Sequence, residues 1–154
     1  RMQAKRCHAQ LVRGLFGKQA SQDIFYSPLD CRQLTRPVCV GGGWKPGWST
    51  DYVAATIAEQ LNVSTVINLS NVDYVYDKDP RKSADARPLK RIAWTEMRRL
   101  VGGTWKPGSH TPFDPMASKL AAKVGLAVVM INGRKLSQLD KFLTGKPFKG
   151  SIIS

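Results

Sequence analysis

The sequence predicts an α/β fold, and three observations carry that prediction. The chain has 154 residues, 42% of them apolar and 23% charged, which is enough to bury one core. Apolar runs of strand length alternate with stretches of helical periodicity. Between the first two strand-like runs lies a glycine-rich loop that leads into a helix, the order of a βαβ unit. A single domain is therefore expected over residues 1–154.

The elements follow in chain order. Residues 1–18 carry five basic side chains and no acid, with Ala9, Leu11, Val12, Leu15 and Phe16 at mostly helical spacing, so a helix ending near Gly17 is predicted. Residues 19–36 are polar, contain Ser27-Pro28, and read as an irregular excursion. Val38-Cys39-Val40 reads as a short buried strand. Val53, Ala54, Ile57, Ala58 and Leu61 then share one helical face, with Ser49, Thr50 and Asp51 suited to its cap and first turn. Residues 64–69 are β-branched and apolar enough for a strand. Residues 78–99 hold eight basic side chains against three acids, and read as a solvated excursion closing in a short helix over 94–101. A second loop over 102–112 leads to a helix over 115–124, a strand over 126–131, a helix over 136–143 and a terminal strand over 151–154.

Twenty-four Lys and Arg against eleven Asp and Glu leave a net charge of +13, which favours polyanionic partners without choosing among them. Cys7, Cys31 and Cys39 are odd in number and lack C-x-x-C spacing, so neither a disulfide framework nor a zinc ribbon is indicated and a reducing, cytoplasmic setting fits. No apolar run approaches the roughly 20 residues of a membrane span, and no membrane partner is expected. His8 and His110 lie far apart in sequence, which gives no basis for a histidine metal site or a Ser-His-Asp triad. No residue is assigned to a metal.

Three clusters carry chemistry. The first is the loop over 41–51. A glycine run between a strand end and a helix start gathers free backbone N–H groups at the positive helix end, where a phosphate binds. Gly42 and Gly47 have the G-x-x-x-x-G spacing of a Walker A loop, but Trp48 stands where that loop needs Lys, so a P-loop NTPase is disfavoured. Lys45, Ser49 and Thr50 add an ammonium and two hydroxyls, while Trp44 and Trp48 can shield the site or pack in an interface. The second cluster is the segment 70–80, directly after a strand, where ligands of open α/β sheets gather; its Asp77 reads as a turn former. The third is Phe113-Asp114-Pro115, in which an Asp opening a helix is ordinarily a cap. Trp44-Lys45-Pro46-Gly47 also recurs at 105–108, an echo that two similar Pro-Gly turns explain.

The motifs Gly-Gly-x-x-Pro-Gly-x-Ser-Thr-Asp at 42–51, Ser-Asn-Val-Asp-x-Val-Tyr-x-x-Asp-Pro at 70–80, Asp114-Pro115-x-Ala117-x-Lys119 and Gly150-Ser151-Ile152-Ile153 resemble those of uridylate (UMP) kinases of the amino-acid kinase superfamily. The resemblance implies a three-layer α/β/α sandwich with a mainly parallel sheet. It also implies transfer of the ATP γ-phosphoryl group to UMP in pyrimidine nucleotide biosynthesis. By that likeness Gly43, Trp44, Lys45, Pro46, Gly47, Trp48, Ser49 and Thr50 hold UMP; Ser70, Asn71, Tyr76 and Asp79 line the ATP pocket; and Asp51 and Asp114 are catalytic, organising the phosphate-binding lysine and the magnesium-assisted transfer. Mg2+ enters with ATP, and a homohexamer is implied.

Nothing in the chain matches the family's N-terminal phosphate-binding lysine and Gly-Gly loop. The chain is thus expected to be the C-terminal portion of a longer kinase and inactive by itself. Two alternatives stand beside this reading. One keeps the fold and changes the acceptor, as in acetylglutamate and aspartate kinases or a molybdate-storage relative. The other takes the +13 charge at face value as a nucleic-acid-binding module, against which no recognisable nucleic-acid motif interleaves the basic clusters.

Overall fold

The computed structural model describes residues 2–31, 36–103 and 111–154. The repeated Trp-Lys-Pro-Gly at 105–108, His110 and part of the 19–36 excursion lie outside the described residues. The chain divides into two compact units, residues 1–63 and 64–154.

The first unit is built on two helices. Helix α1 spans Met2–Phe16 and runs into a 3₁₀ turn at Gly17–Gln19, where Gly17 takes a positive φ of 51°. Helix α2 spans Thr50–Gln60, and its N-cap is Ser49, whose hydroxyl accepts the Tyr52 N–H at 3.1 Å. It buries Val53, Ala55 and Ala58. A short 3₁₀ turn at Pro28–Asp30 is capped in the same way by Ser27.

The predicted strand over 38–40 does not form. Val38 and Gly41 make only isolated parallel bridges, to Ala20 and Phe25, each supported by two backbone hydrogen bonds, such as Ser21 N–H to Val38 O at 2.9 Å and Val38 N–H to Gln19 O at 3.2 Å. A strand needs a continuous partner. The facing run over 20–25 bends between its two contacts, and the glycines from Gly41 onward end the extended stretch. The predicted βαβ unit is corrected with it, because the sheet of the described residues lies wholly in the second unit.

That sheet has the order β1-β5-β6-β4, with β1 at Thr65–Ser70, β4 at Arg91–Ile92, β5 at Ala127–Asn132 and β6 at Ser151–Ile153. The β1/β5 and β4/β6 pairs are parallel and β5/β6 is antiparallel, so two of the three pairings are parallel. A separate hairpin joins β2, Val75–Tyr76, to β3, Pro88–Leu89. Helices α3 (Trp94–Val101), α4 (Pro115–Val124) and α5 (Leu136–Leu143) occupy their predicted ranges. β5 contributes Val128, Val129, Met130 and Ile131 to the core, all at 2% exposure or less, which explains why it is the clearest apolar run in the sequence.

Two polar side chains tie this unit together. The buried Ser151 hydroxyl accepts the Val75 N–H at 2.8 Å and donates to Leu89 O, fastening both strands of the hairpin to β6. Trp94 buries its ring against Phe113 and donates its indole N–H to Leu126 O at 2.9 Å. The Gly-Ser-Ile-Ile motif thus has a structural purpose. A Cβ at Gly150 would lie 2.6 Å from Met130 O, so only glycine lets the chain enter β6 there.

Candidate active site

The 41–51 loop forms within the first unit. Lys45, Pro46, Gly47 and Trp48 make a turn in which Trp48 N–H approaches Lys45 O at 3.4 Å and Gly47 has a φ of 90°, the geometry of a type II turn with proline and glycine at its centre. The turn throws the aromatic side chains to one side. Trp44 and Trp48 have ring centroids 5.3 Å apart, and Trp48 continues the stack onto Tyr52 at 4.4 Å. The Lys45 ammonium sits 4.4 Å from the centre of the Trp44 ring, a cation–π contact that holds the charge at the loop. Trp48 remains 37% exposed.

The glycines of this loop answer to packing as well as to any anion. A side chain at Gly41 would meet the Phe25 ring, and one at Gly42 would come 2.7 Å from the Tyr26 ring. Tyr26 is itself held by α1, through Arg6 stacked 4.7 Å over its ring and Gln10 at 3.3 Å from its hydroxyl. Behind the loop, Gly41, Gly42, Gly43 and Thr50 line a cavity of about 260 Å³ whose other wall is α1. Asp51 occupies the first turn of α2, half-buried, with Ser49 rather than Asp51 serving as the cap.

The second group lies in the second unit, around the carboxyl end of β1. Ser70 closes that strand in register with Asn132 at the end of β5, and Asn71 follows it directly. Tyr76 sits on β2, edge-on to Tyr74 at 6.3 Å. Asp79 is engaged in its own turn, where Oδ1 accepts the Arg81 backbone N–H and Nε and Oδ2 accepts Nη2, all at 3.0 Å. The Arg81 guanidinium holds the Asp79 carboxyl below the usual carboxylate range. Asp77 ties the two sides of the loop between Tyr76 and Pro88, its Oδ1 accepting the Arg87 N–H at 2.7 Å and its own N–H donating to Arg87 O at 3.1 Å.

Asp114 is 4% exposed and caps α4, its Oδ1 accepting the N–H groups of Met116 at 2.7 Å and Ala117 at 2.8 Å. Asp51 belongs to the first unit and Asp114 to the second.

Three residues beside Ser70 were not assigned a role from the sequence. Asp73 pairs with Lys135 at 2.6 Å and accepts from Asn132 Nδ2 at 2.8 Å, and both contacts, Lys135 first, draw its carboxyl below the ordinary range. The signal was present as Asn132-Gly133-Arg134-Lys135 directly after the clearest strand. Its polar residues fall at the carboxyl ends of parallel strands, where sites in such sheets form. Gly133 N–H to Ser70 O at 2.8 Å locks the two strand ends together.

A glycine loop opening a helix and a polar strand-end cluster on a mainly parallel sheet are features of phosphate-handling α/β proteins, although the Gly42 N–H is already given to Phe25 O at 2.9 Å. Comparison with known sequences gives the class: the amino acid kinase family profile matches residues 36–132, well over half of the chain, and the chain belongs to that family. Within it the similar proteins include uridylate kinases. That of Methanobrevibacter smithii is 32% identical over 99% of this chain and 69% of its own length. That of Methanococcus aeolicus is 40% identical over 62% of this chain and 43% of its own. The crystal structure of the Archaeoglobus fulgidus uridylate kinase superposes with a TM-score of 0.83 at 25% identity, covering 99% of this chain and 69% of that one. The chain thus spans from 43 to 69% of the length of these relatives.

Proposed function

We propose that this chain supplies the acceptor loop and the ATP-binding segment of a UMP kinase, which moves the γ-phosphoryl group of MgATP to UMP. The observation that carries the proposal is the 41–51 loop, whose Pro-Gly turn, glycine run and Ser-Thr-Asp helix start stand together beside a cavity of about 260 Å³. Gly43 through Thr50 hold the UMP phosphate, and Ser70, Asn71, Tyr76 and Asp79 line the donor nucleotide. Asp51 and Asp114 order the cations around the transferring group. Such a reaction asks mainly for two anionic substrates held in line with their charge neutralised.

Magnesium arrives as part of the MgATP substrate. Among the described residues no three His, Cys, Asp or Glu side chains cluster to hold a metal. Leu11, Leu15 and Phe16 stand 63%, 79% and 44% exposed on α1, and support a homo-oligomer, here proposed as a hexamer. A cytoplasmic setting accords with three free cysteines, and a role in pyrimidine biosynthesis follows from UMP as the proposed acceptor. Among the described residues no helix is long and apolar enough to cross a membrane.

A coupled assay of ADP formation on the protein as encoded, run with UMP, CMP, AMP and acetylglutamate, tests the assignment. UMP is expected to be the preferred acceptor. Equal or faster turnover of any acceptor lacking uracil would overturn it.

A further inference from the structure

We infer that helix α1 completes the acceptor pocket, with Lys5 and His8 as recognition residues for the acceptor's phosphomonoester group. The inference rests on reading the 41–51 loop as the acceptor site, and it assigns a task to a helix that the motifs left without one.

Lys5, His8, Ala9 and Val12 fall at i, i+3, i+4 and i+7, so they form a single stripe along α1. All four line the cavity of about 260 Å³ behind the glycine loop, with Val40, Gly41, Gly42, Gly43 and Thr50 on the other side. The lining sorts into two kinds. Ala9, Val12 and Val40 are apolar walls, and Lys5, His8 and the Thr50 hydroxyl are polar groups at its margin. No acidic residue lines it.

Neither Lys5 nor His8 is in an ion pair among the described residues, whereas Lys78, Arg81 and Lys135 each have a carboxylate partner. Other cations near the loop are also committed, Arg6 to the Tyr26 ring and Lys45 to the Trp44 ring. The two basic side chains on the cavity are therefore the ones available to an anion there. The register of α1 against the loop is fixed, because Ala9 is buried and its Cβ lies 3.8 Å from the position a Cβ at Gly42 would take. An open cleft with apolar walls and with Lys5, His8 and Thr50 on its lining suits a phosphate monoester better than a neutral or extended ligand.

The test uses the tryptophans of the loop as reporters. UMP and, separately, inorganic phosphate are titrated into the protein as encoded, with Trp94 and Trp105 replaced by Phe so that emission reports on Trp44 and Trp48, and with calorimetry on the unsubstituted protein as a second readout. The variants are Lys5→Met, His8→Asn and the conservative Lys5→Arg. Both positions are exposed on a helix, and circular dichroism checks that each variant keeps its fold. Lys5→Met and His8→Asn are each expected to weaken UMP by about tenfold, as for loss of a charge-assisted contact, with Lys5→Arg close to wild type.

The outcomes separate the two readings. UMP binding that stays within twofold of wild type in both Met and Asn variants overturns the inference and leaves the acceptor assignment standing. Phosphate binding that is lost in the variants, with no binding of UMP by wild type, upholds the inference and removes the UMP assignment. Binding of neither ligand by wild type overturns both.

Discussion

Asp114 has two roles open to it, and hydrogen bonds already account for one. As the N-cap of α4 it accepts two amide N–H groups, a service whose loss costs about 0.5–2 kcal/mol. Asparagine caps as well as aspartate but carries no charge, so two substitutions divide the roles. Asp114→Ala should lower stability by about 1 kcal/mol. Asp114→Asn should melt within a few degrees of wild type and yet lose most turnover if the carboxylate orders cations during transfer. Unimpaired kcat in the Asn variant would leave Asp114 a cap and nothing more.

Asp51 poses the same question with the cap removed from it, since Ser49 fills that position. A first-turn carboxylate contributes only about 0.3–1 kcal/mol through the helix dipole. Asp51→Asn is therefore expected to fold and to bind UMP almost normally. Its turnover should fall by roughly two orders of magnitude, as for a group acting in the transition state. Steady-state kinetics alongside a melting curve distinguishes this from a merely structural acid, which would show the reverse pattern. Asp73 offers a pH signature. Lys135 and Asn132 hold its carboxyl below the ordinary range, so the pair contributes stability that is complete above an unfolded pKa of about 3.9 and fades as pH falls through the lowered value. Wild type should accordingly be more stable than Lys135→Met at pH 6, with the difference shrinking below about pH 4. A difference in melting temperature that stays constant down to pH 2.5 would show that the ion pair is not its source.

At the level of elements, the helices were legible and the short strands were not. α3, α4 and α5 carry their own boundary signals: Pro115 after the Asp114 cap, Gly125 in the left-handed conformation at the far end of α4, Gly102 closing α3, and Gly145 at a φ of 70° just beyond α5. β2, β3 and β4 have two residues each and no periodicity to read, and they exist because Ser151 and β6 supply partners from more than 60 residues away. The error over 38–40 has the same origin in reverse, since an apolar run predicts burial but cannot supply a ladder. The site divides along similar lines. The 41–51 loop was readable because its turn chemistry is local, with Gly47 at a φ of 90°. The contribution of α1 to the cavity and of Lys135 to Asp73 depends on tertiary packing. Gly47→Ala should for this reason disturb the loop, costing about 1–3 kcal/mol of strain, and should weaken UMP more than it lowers the stability of α2. Unchanged UMP affinity in that variant would mean the Pro-Gly turn does not shape the acceptor site.

At the scale of the whole molecule, the two units differ in what holds them together. Residues 64–154 contain the complete four-stranded sheet and the largest fully buried side chains but one, among them Phe113, Met97, Leu126, Met130, Ile131 and Ile153. Residues 1–63 bury chiefly small groups, Ala9, Ala20, Cys31, Val40, Val53, Ala55 and Ala58, and their described backbone pairs outside helices only through isolated bridges. Burial stabilises by about 25 cal/mol per Å² of apolar surface, so alanines contribute little against the entropy of ordering some sixty residues. A polypeptide of residues 64–154 should therefore fold on its own and unfold cooperatively in urea, while residues 1–63 alone should show residual helix without a cooperative transition. The segment proposed to bind ATP belongs to the stable unit, and the loop proposed to hold UMP to the other. The 64–154 polypeptide is accordingly expected to retain weak affinity for ATP and none for UMP, which calorimetry on the isolated piece measures directly. A cooperative transition in residues 1–63, or UMP binding by residues 64–154, would show that the division of labour runs differently from the division of the core.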